Sequence, residues 1–171
     1  MSCPVIVLDM IEIRNATPDE YEAVSDLTVI AYVGGGHVEA HDPYTNRLRD
    51  TAERADKAEV RVAVMAGRVV GSVTIAEPAS PYADVAQPGE LEFRMLAVSP
   101  DARGSGVGSA LVRHVLDTAY DRGDRAVVMS TQPDMEDARR IYDRNGFVPV
   151  PDRNWAPVPG VELTVLVREL V

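Results

Sequence analysis

The spacing of apolar and polar residues changes several times along this chain, and each change marks an element. Val5 to Arg14 is rich in Val and Ile and predicts a first strand. Thr17-Pro18-Asp19-Glu20 then has the form of a capping box, with Pro at the first helical position. Tyr21, Val24, Leu27 and Ala31 follow at helical spacing until Gly34-Gly35-Gly36 interrupts them. Tyr44 to Ala55 predicts a second short helix. Glu59 to Ala66 and Val69 to Ala76 are β-rich runs separated by Gly67-Arg68, the pattern of an antiparallel hairpin. Pro78 to Gly89, punctuated by Pro81 and Pro88, predicts an exposed connection.

In the second half, the apolar strand Glu90 to Val98 runs into a glycine-rich turn. A helix from Gly108 follows, with Leu111, Val112, Val115, Leu116 and Ala119 on one face and Gly123 as its cap. Ala126 to Ser130 predicts a short buried strand and Asp134 to Asn145 a helix. Pro149 to Gly160 is a proline-rich loop, and Val161 to Leu170 closes the chain as strand. The elements alternate as mixed α/β without internal repeats.

The turn itself, Arg103-Gly104-Ser105-Gly106-Val107-Gly108, is the strongest chemical signal. The first N–H groups of a helix lack intrahelical partners and sit at the positive end of its dipole, so they bind anions without a lysine. Glycines let a bulky diphosphate approach the main chain. Gly108 is followed by Ser109-Ala110 rather than Lys-Ser/Thr, which disfavours a nucleoside triphosphate loop. A dinucleotide fold fits poorly too: its third Gly would fall at Ser109, and Asp124 precedes, rather than follows, the run Ala126-Val127-Val128-Met129.

Arg103-x-x-Gly106-x-Gly108, behind a strand ending Met95-Leu96-Ala97-Val98, resembles the acetyl-CoA-binding motif of the GCN5-related N-acetyltransferase superfamily. Ala138-Arg139-Arg140-Ile141-Tyr142-Asp143-Arg144-Asn145-Gly146-Phe147 resembles its second hallmark, a helix carrying a Tyr and closing in Gly-Phe. The resemblance implies an α/β fold with a mixed, mostly antiparallel sheet flanked by helices, whose central strands splay to admit acetyl-pantetheine. It places the donor site at Leu96, Ala97, Val98, Arg103, Gly104, Ser105, Gly106, Val107, Gly108 and Ser109. In the superfamily an Asn often stands three residues before that Ala; here Met135 does, and Gln132 is the candidate substitute.

Acetyl transfer to an amine needs a neutral nucleophile, a stabilised carbonyl oxygen and a proton for the leaving thiolate. Glu92 matches the place of a Glu in histone acetyltransferases of the superfamily, and Glu90 shares its strand face. Either acts as base, or both belong to a solvated face paired with Arg94. A backbone N–H near Leu96 or Ala97 is the expected oxyanion donor. Tyr142 is the expected acid, its alternative being a packed core tyrosine. The connection holding His37, His41, Asp42 and Tyr44 would shape the acceptor site, with Glu90 a further candidate to bind the acceptor and Trp155 as the opposite wall.

Composition narrows the field of partners. With 171 residues, 46% of them hydrophobic, the chain is expected to fold as one domain, 1–171. A net charge of −10 argues against nucleic acid. Val5 to Leu8 is too short to span a membrane, and the single cysteine, Cys3, fits a reducing cytoplasm. His37 and His41 with Glu39 and Asp42 do not form a zinc pattern, so no metal is expected. The expected activity is therefore acetyl-CoA-dependent N-acetylation of a small-molecule, peptide or protein amine, and the superfamily allows a homodimer. The alternatives are another acyl group, read by the pocket near Met95 and Met129, or an acyl-CoA sensor without turnover.

Overall fold

The computed structural model describes residues 10–170. Residues 5–9 of the expected first strand lie outside these, and the described part, β1, is Glu12–Asn15. The capping box forms at a single 3-10 turn, Pro18–Glu20, where the Glu20 carboxylate accepts from the Thr17 N–H at 2.9 Å. Helix α1, Tyr21–Gly34, continues from it.

The expected helix 44–55 is two helices, α2 (Pro43–Arg49) and α3 (Thr51–Lys57). Asp50 divides them because its backbone leaves the helical region and its carboxylate accepts from the Glu53 N–H, capping α3. Arg54, 1% exposed, turns back to donate to the Arg47 and Leu48 carbonyls left open at the end of α2.

Strands β2 (Glu59–Met65) and β3 (Arg68–Ala76) form the expected hairpin, but its turn is Ala66-Gly67, both at positive φ, and Arg68, expected in the turn, pairs with Met65 as the first residue of β3. The remaining elements are β4 (Glu90–Val98), α4 (Val107–Arg122), β5 (Ala126–Thr131), α5 (Glu136–Arg144), β6 (Val148–Pro149) and β7 (Thr164–Glu169). Among the described residues they make a seven-stranded sheet in the order β1-β2-β3-β4-β5-β7-β6. Every pairing is antiparallel except β4 with β5.

The two faces of the sheet are covered differently. On one, α4 buries Leu111, Val112, Val115 and Ala119 against Ile75, Leu91, Phe93, Val127 and Leu166, joined by Tyr142 from α5. Close packing here depends on two glycines: a Cβ on Gly71 would stand 2.7 Å from Val107, and one on Gly108 2.7 Å from Ile141. On the other face, Val24 of α1 covers Val60, Val62 and Val64. Over β5 and β7, loop residues Val85, Ala86, Val150 and Trp155 serve instead of a helix. The 77–89 connection, expected to be exposed, is therefore partly cover, and its Tyr82 is 2% exposed with its hydroxyl on Glu53 at 2.6 Å.

Candidate active site

The sheet opens at its centre. Strands β4 and β5 pair through Glu90↔Ala126, Leu91↔Val127 and Glu92↔Val128, and beyond that they separate. On the other side of β4, Ser72 faces Ala97 while Thr74 faces Arg94, so β4 carries one extra residue there. The extra residue is accommodated by a bulge at Met95, whose φ is +54, a conformation rare outside glycine. Leu96 and Ala97, the expected oxyanion donors, follow the bulge in the stretch where β4 has no pairing on its β5 side.

Past Val98 the chain makes a 3-10 turn, Pro100–Ala102, and enters the glycine segment. Gly104 and Gly106 have φ of +80 and +83, and a Cβ built on either meets no atom within 4 Å, so open space lies over the turn. Gly106 is the N-cap of α4. Arg103, Gly104, Ser105 and Gly106 are exposed, whereas Val107 and Gly108 are buried. The three glycines thus divide their work. The first two permit the left-handed turn, and the third admits Ile141 to the face of α4.

Tyr142 packs in the core on the α4 side, tilted against Phe93 at 5.8 Å and edge-on to Phe147 at 6.1 Å between ring centres. Its hydroxyl has no protein hydrogen-bond partner among the described residues, and burial pushes its pKa well above that of a free phenol. Gly146, at φ +80, ends α5 and lets Arg168 lie against the backbone where a Cβ would be 2.4 Å from its guanidinium. Met135 precedes α5 as its N-cap, its sulfur 3.9 Å from the Thr131 hydroxyl.

The opposite face holds the acids. Glu92 is 2% exposed, and one carboxylate oxygen accepts from the Val85 and Ala86 N–H groups, each at 3.0 Å. Burial raises its pKa above the usual carboxylate range despite those bonds. Glu90, also 2% exposed, is fully engaged: Arg153 donates to both of its oxygens at 2.9 Å, with Arg125 and the Gln87 N–H adding one bond each. Burial alone would raise its pKa, but the bonds and charges of Arg153, Gln87 and Arg125 leave it lowered. The two acids do not form a solvated face with Arg94. That guanidinium pairs instead with Asp84 at 2.7 Å, the Tyr82 carbonyl at 3.1 Å and the Tyr44 hydroxyl at 3.0 Å. Burial opposes Arg94's charge, yet Tyr44 and Asp84 more than offset it, and its pKa is raised.

The expected acceptor residues are only partly brought together. Extending the β4–β5 register would set Arg94 beside Ser130, and this is where the gap lies. Arg94 with Tyr44 stands on the β4 bank, and Ser130, whose hydroxyl accepts from the Trp155 indole N–H at 3.0 Å, on the β5 bank. His37 spans from the loop after α1 to Asp134 at 3.1 Å, next to the end of β5. Glu90 lies apart, in the paired stretch beneath the loops. Tyr32, Asp84, Ser130, Asp134 and Arg153 went unmarked in the sequence. Tyr32 is half-buried, within Coulombic reach of Tyr44, Tyr142 and Arg94. Strand periodicity exposes Arg94 as a face-mate of the acids, but no local pattern reveals the others. Among the described residues no group of three His, Cys, Asp or Glu side chains could hold a metal ion, and no helix is long and apolar enough to cross a membrane.

Residues 19–147 match the model of the Acetyltransferase (GNAT) family. A mycothiol acetyltransferase of Cellulomonas flavigena is 36% identical across 63% of this chain, which spans about a third (34%) of that relative's length. The 5-NmdU N-acetyltransferase of Pseudomonas phage PaMx11 is 26% identical, covering 81% of this chain and 87% of the relative. A solved GCN5-related N-acetyltransferase from Kribbella flavida superposes with a TM-score of 0.68 at 27% identity, covering 94% of this chain and 98% of its own.

Proposed function

The chain belongs to the GNAT acetyltransferase family, and we propose that it moves an acetyl group from acetyl-CoA directly to an amine in the gap between β4 and β5. The observation that carries this reading is the Met95 bulge, at the point where β5 leaves β4 and a few residues before the open glycine turn. A strand edge freed in this way can pair with an extended pantetheine arm as it would with another strand. The donor-binding set is Leu96, Ala97 and Val98 for the arm and Arg103 through Ser109 for the diphosphate. The named acceptors of the relatives differ from one another, so the acceptor here is described only as an amine.

The bound thioester supplies an activated acetyl carbonyl. Glu92 takes a proton from the acceptor ammonium directly or through water. Its raised pKa makes it a stronger base than an ordinary carboxylate. The Leu96 or Ala97 N–H donates to the carbonyl oxygen as charge builds there. Tyr142, which burial keeps protonated, gives its proton to the departing thiolate sulfur. Tyr44 and His37 on one side and Trp155 on the other orient the acceptor. Cytoplasmic residence, with the lone Cys3 kept reduced, completes the reading.

Free thiol followed after mixing the protein with acetyl-CoA, propionyl-CoA and a panel of primary amines tests it. Acceptor-dependent thiol release, faster with acetyl-CoA, is expected. Tight CoA binding with no release across the panel would overturn it in favour of a sensor.

A further inference from the structure

The 150–160 loop lies over β5 and β7 where a helix would otherwise cover the sheet, and it carries Trp155, the only tryptophan in the chain. Its edge is tied to the chain before β7 by a bridge between Trp155 and Leu163, and its tie to β4 runs through one side chain. Arg153, at the end of the 3-10 turn Pro151–Arg153, donates to both oxygens of Glu90 at 2.9 Å and to the Val85 carbonyl at 2.6 Å. One guanidinium therefore joins three separate segments: its own loop, strand β4, and the 77–89 connection. The fork geometry fixes direction as well as distance, which a single-point contact would not.

We propose that Arg153 and Glu90 form a positioning pair that holds Trp155 against Ser130 and thereby sets the β5 bank of the acceptor opening. One residue, Asn154, separates Arg153 from Trp155. On the other side Val150 packs into the same cluster as Trp155, and its N–H bonds the Val165 carbonyl at 2.9 Å. The Asn154 side chain adds a bond to the Val165 N–H at 2.9 Å. With Arg153 in place the indole lies over Ala126 and Val128 and reaches Ser130 at 3.0 Å. Without it, the loop keeps its edge contacts to β7 but loses the tie to β4, the strand that carries the bulge. Glu90 acts through Arg153 on the acceptor wall, some distance from the reacting atoms along β4, so its effect belongs to acceptor binding.

The wall's role in catalysis rests on the acetyl-transfer reading, whereas the clamp itself can be measured without substrate. Trp155 fluorescence and its acrylamide quenching report the loop directly. In Arg153→Gln, emission should move to longer wavelength and quenching should rise severalfold, with Arg153→Lys intermediate because charge is kept and the fork is lost. Should the single variant fail to fold with Glu90 left buried, the Glu90→Gln/Arg153→Gln pair removes both charges and gives the same readout. With an amine turned over by the wild type, Arg153→Gln should raise the acceptor KM about tenfold. The kcat and the acetyl-CoA Kd should stay within about twofold. An unchanged Trp155 signal in a folded variant would overturn the clamp. A parallel rise in acetyl-CoA Kd would overturn its assignment to the acceptor side. Absence of turnover in the wild type would sink the acetyl-transfer reading while the fluorescence still decides the clamp.

Discussion

The two sides of the central gap are built by different means. On the α4 side, strand, bulge, glycine turn and helix follow one another from Glu90 to Arg122, so neighbours in sequence are neighbours in the site. On the loop side, contacts join positions far apart: Arg94 to Tyr44 at a separation of 50 residues, Arg153 to Glu90 at 63 and to Val85 at 68. Under the proposed function, local geometry suits the donor, because backbone amides and left-handed glycines recognise a diphosphate by its phosphates alone. Long-range ion pairs between loops suit an acceptor that differs among relatives, since loops can be re-anchored without disturbing the turn.

The division predicts that each side fails in its own way. The largest effect is expected from Tyr142→Phe, which should lower kcat about a thousandfold, within the usual range for a general acid. CoA affinity and melting temperature should hold, because the lost hydroxyl has no protein partner among the described residues. Steady-state kinetics with calorimetric CoA titration checks this, and undiminished turnover would return Tyr142 to the core as a packing residue. Next in size, Gly106→Val forces a branched side chain into φ +83 and fills the open space over the turn. CoA binding should weaken about 100-fold, close to 2.7 kcal/mol. Retained affinity would show that the diphosphate lies elsewhere.

How far the sequence reveals each side follows from the same difference. The turn, the strand Glu90–Val98 and the helix ending at Gly123 were legible because glycines and a 3.6 period leave short-range marks. The Met95 bulge was not, because a methionine at positive φ has no signature of its own and is imposed by the register with β3. Asp50 split the second helix for a reason visible only once its carboxylate is seen capping Glu53. Arg153 is one of 17 Lys and Arg residues, and nothing around it in sequence points to a glutamate on another strand. The acids could be assigned to one strand face, but their burial beneath the 77–89 connection required the tertiary structure.

Smaller effects separate the two acids. Glu92→Gln should slow turnover about tenfold, mainly at low pH where the free amine is scarce. An unaltered pH profile would remove Glu92 as base. Because its folded pKa is raised, wild type loses stability as pH climbs from the usual carboxylate value through the folded one, and the Gln variant does not. The melting temperature of the variant relative to wild type should therefore rise across that interval in calorimetric scans. Glu90 has the opposite sign: its lowered pKa contributes stability above the unfolded value, lost as pH falls through the folded one. Acid titration should consequently leave Trp155 unchanged through the ordinary carboxylate range and release it only below, seen as increased acrylamide quenching.

Amide hydrogen exchange on the wild-type protein with and without CoA compares the two sides in one experiment and needs no knowledge of the acceptor. New protection is expected at residues 96–98 and 104–109, with the 77–89 and 150–160 loops unchanged. Protection concentrated in those loops, with the glycine turn exchanging as before, would contradict the assignment of donor and acceptor to opposite sides of the gap.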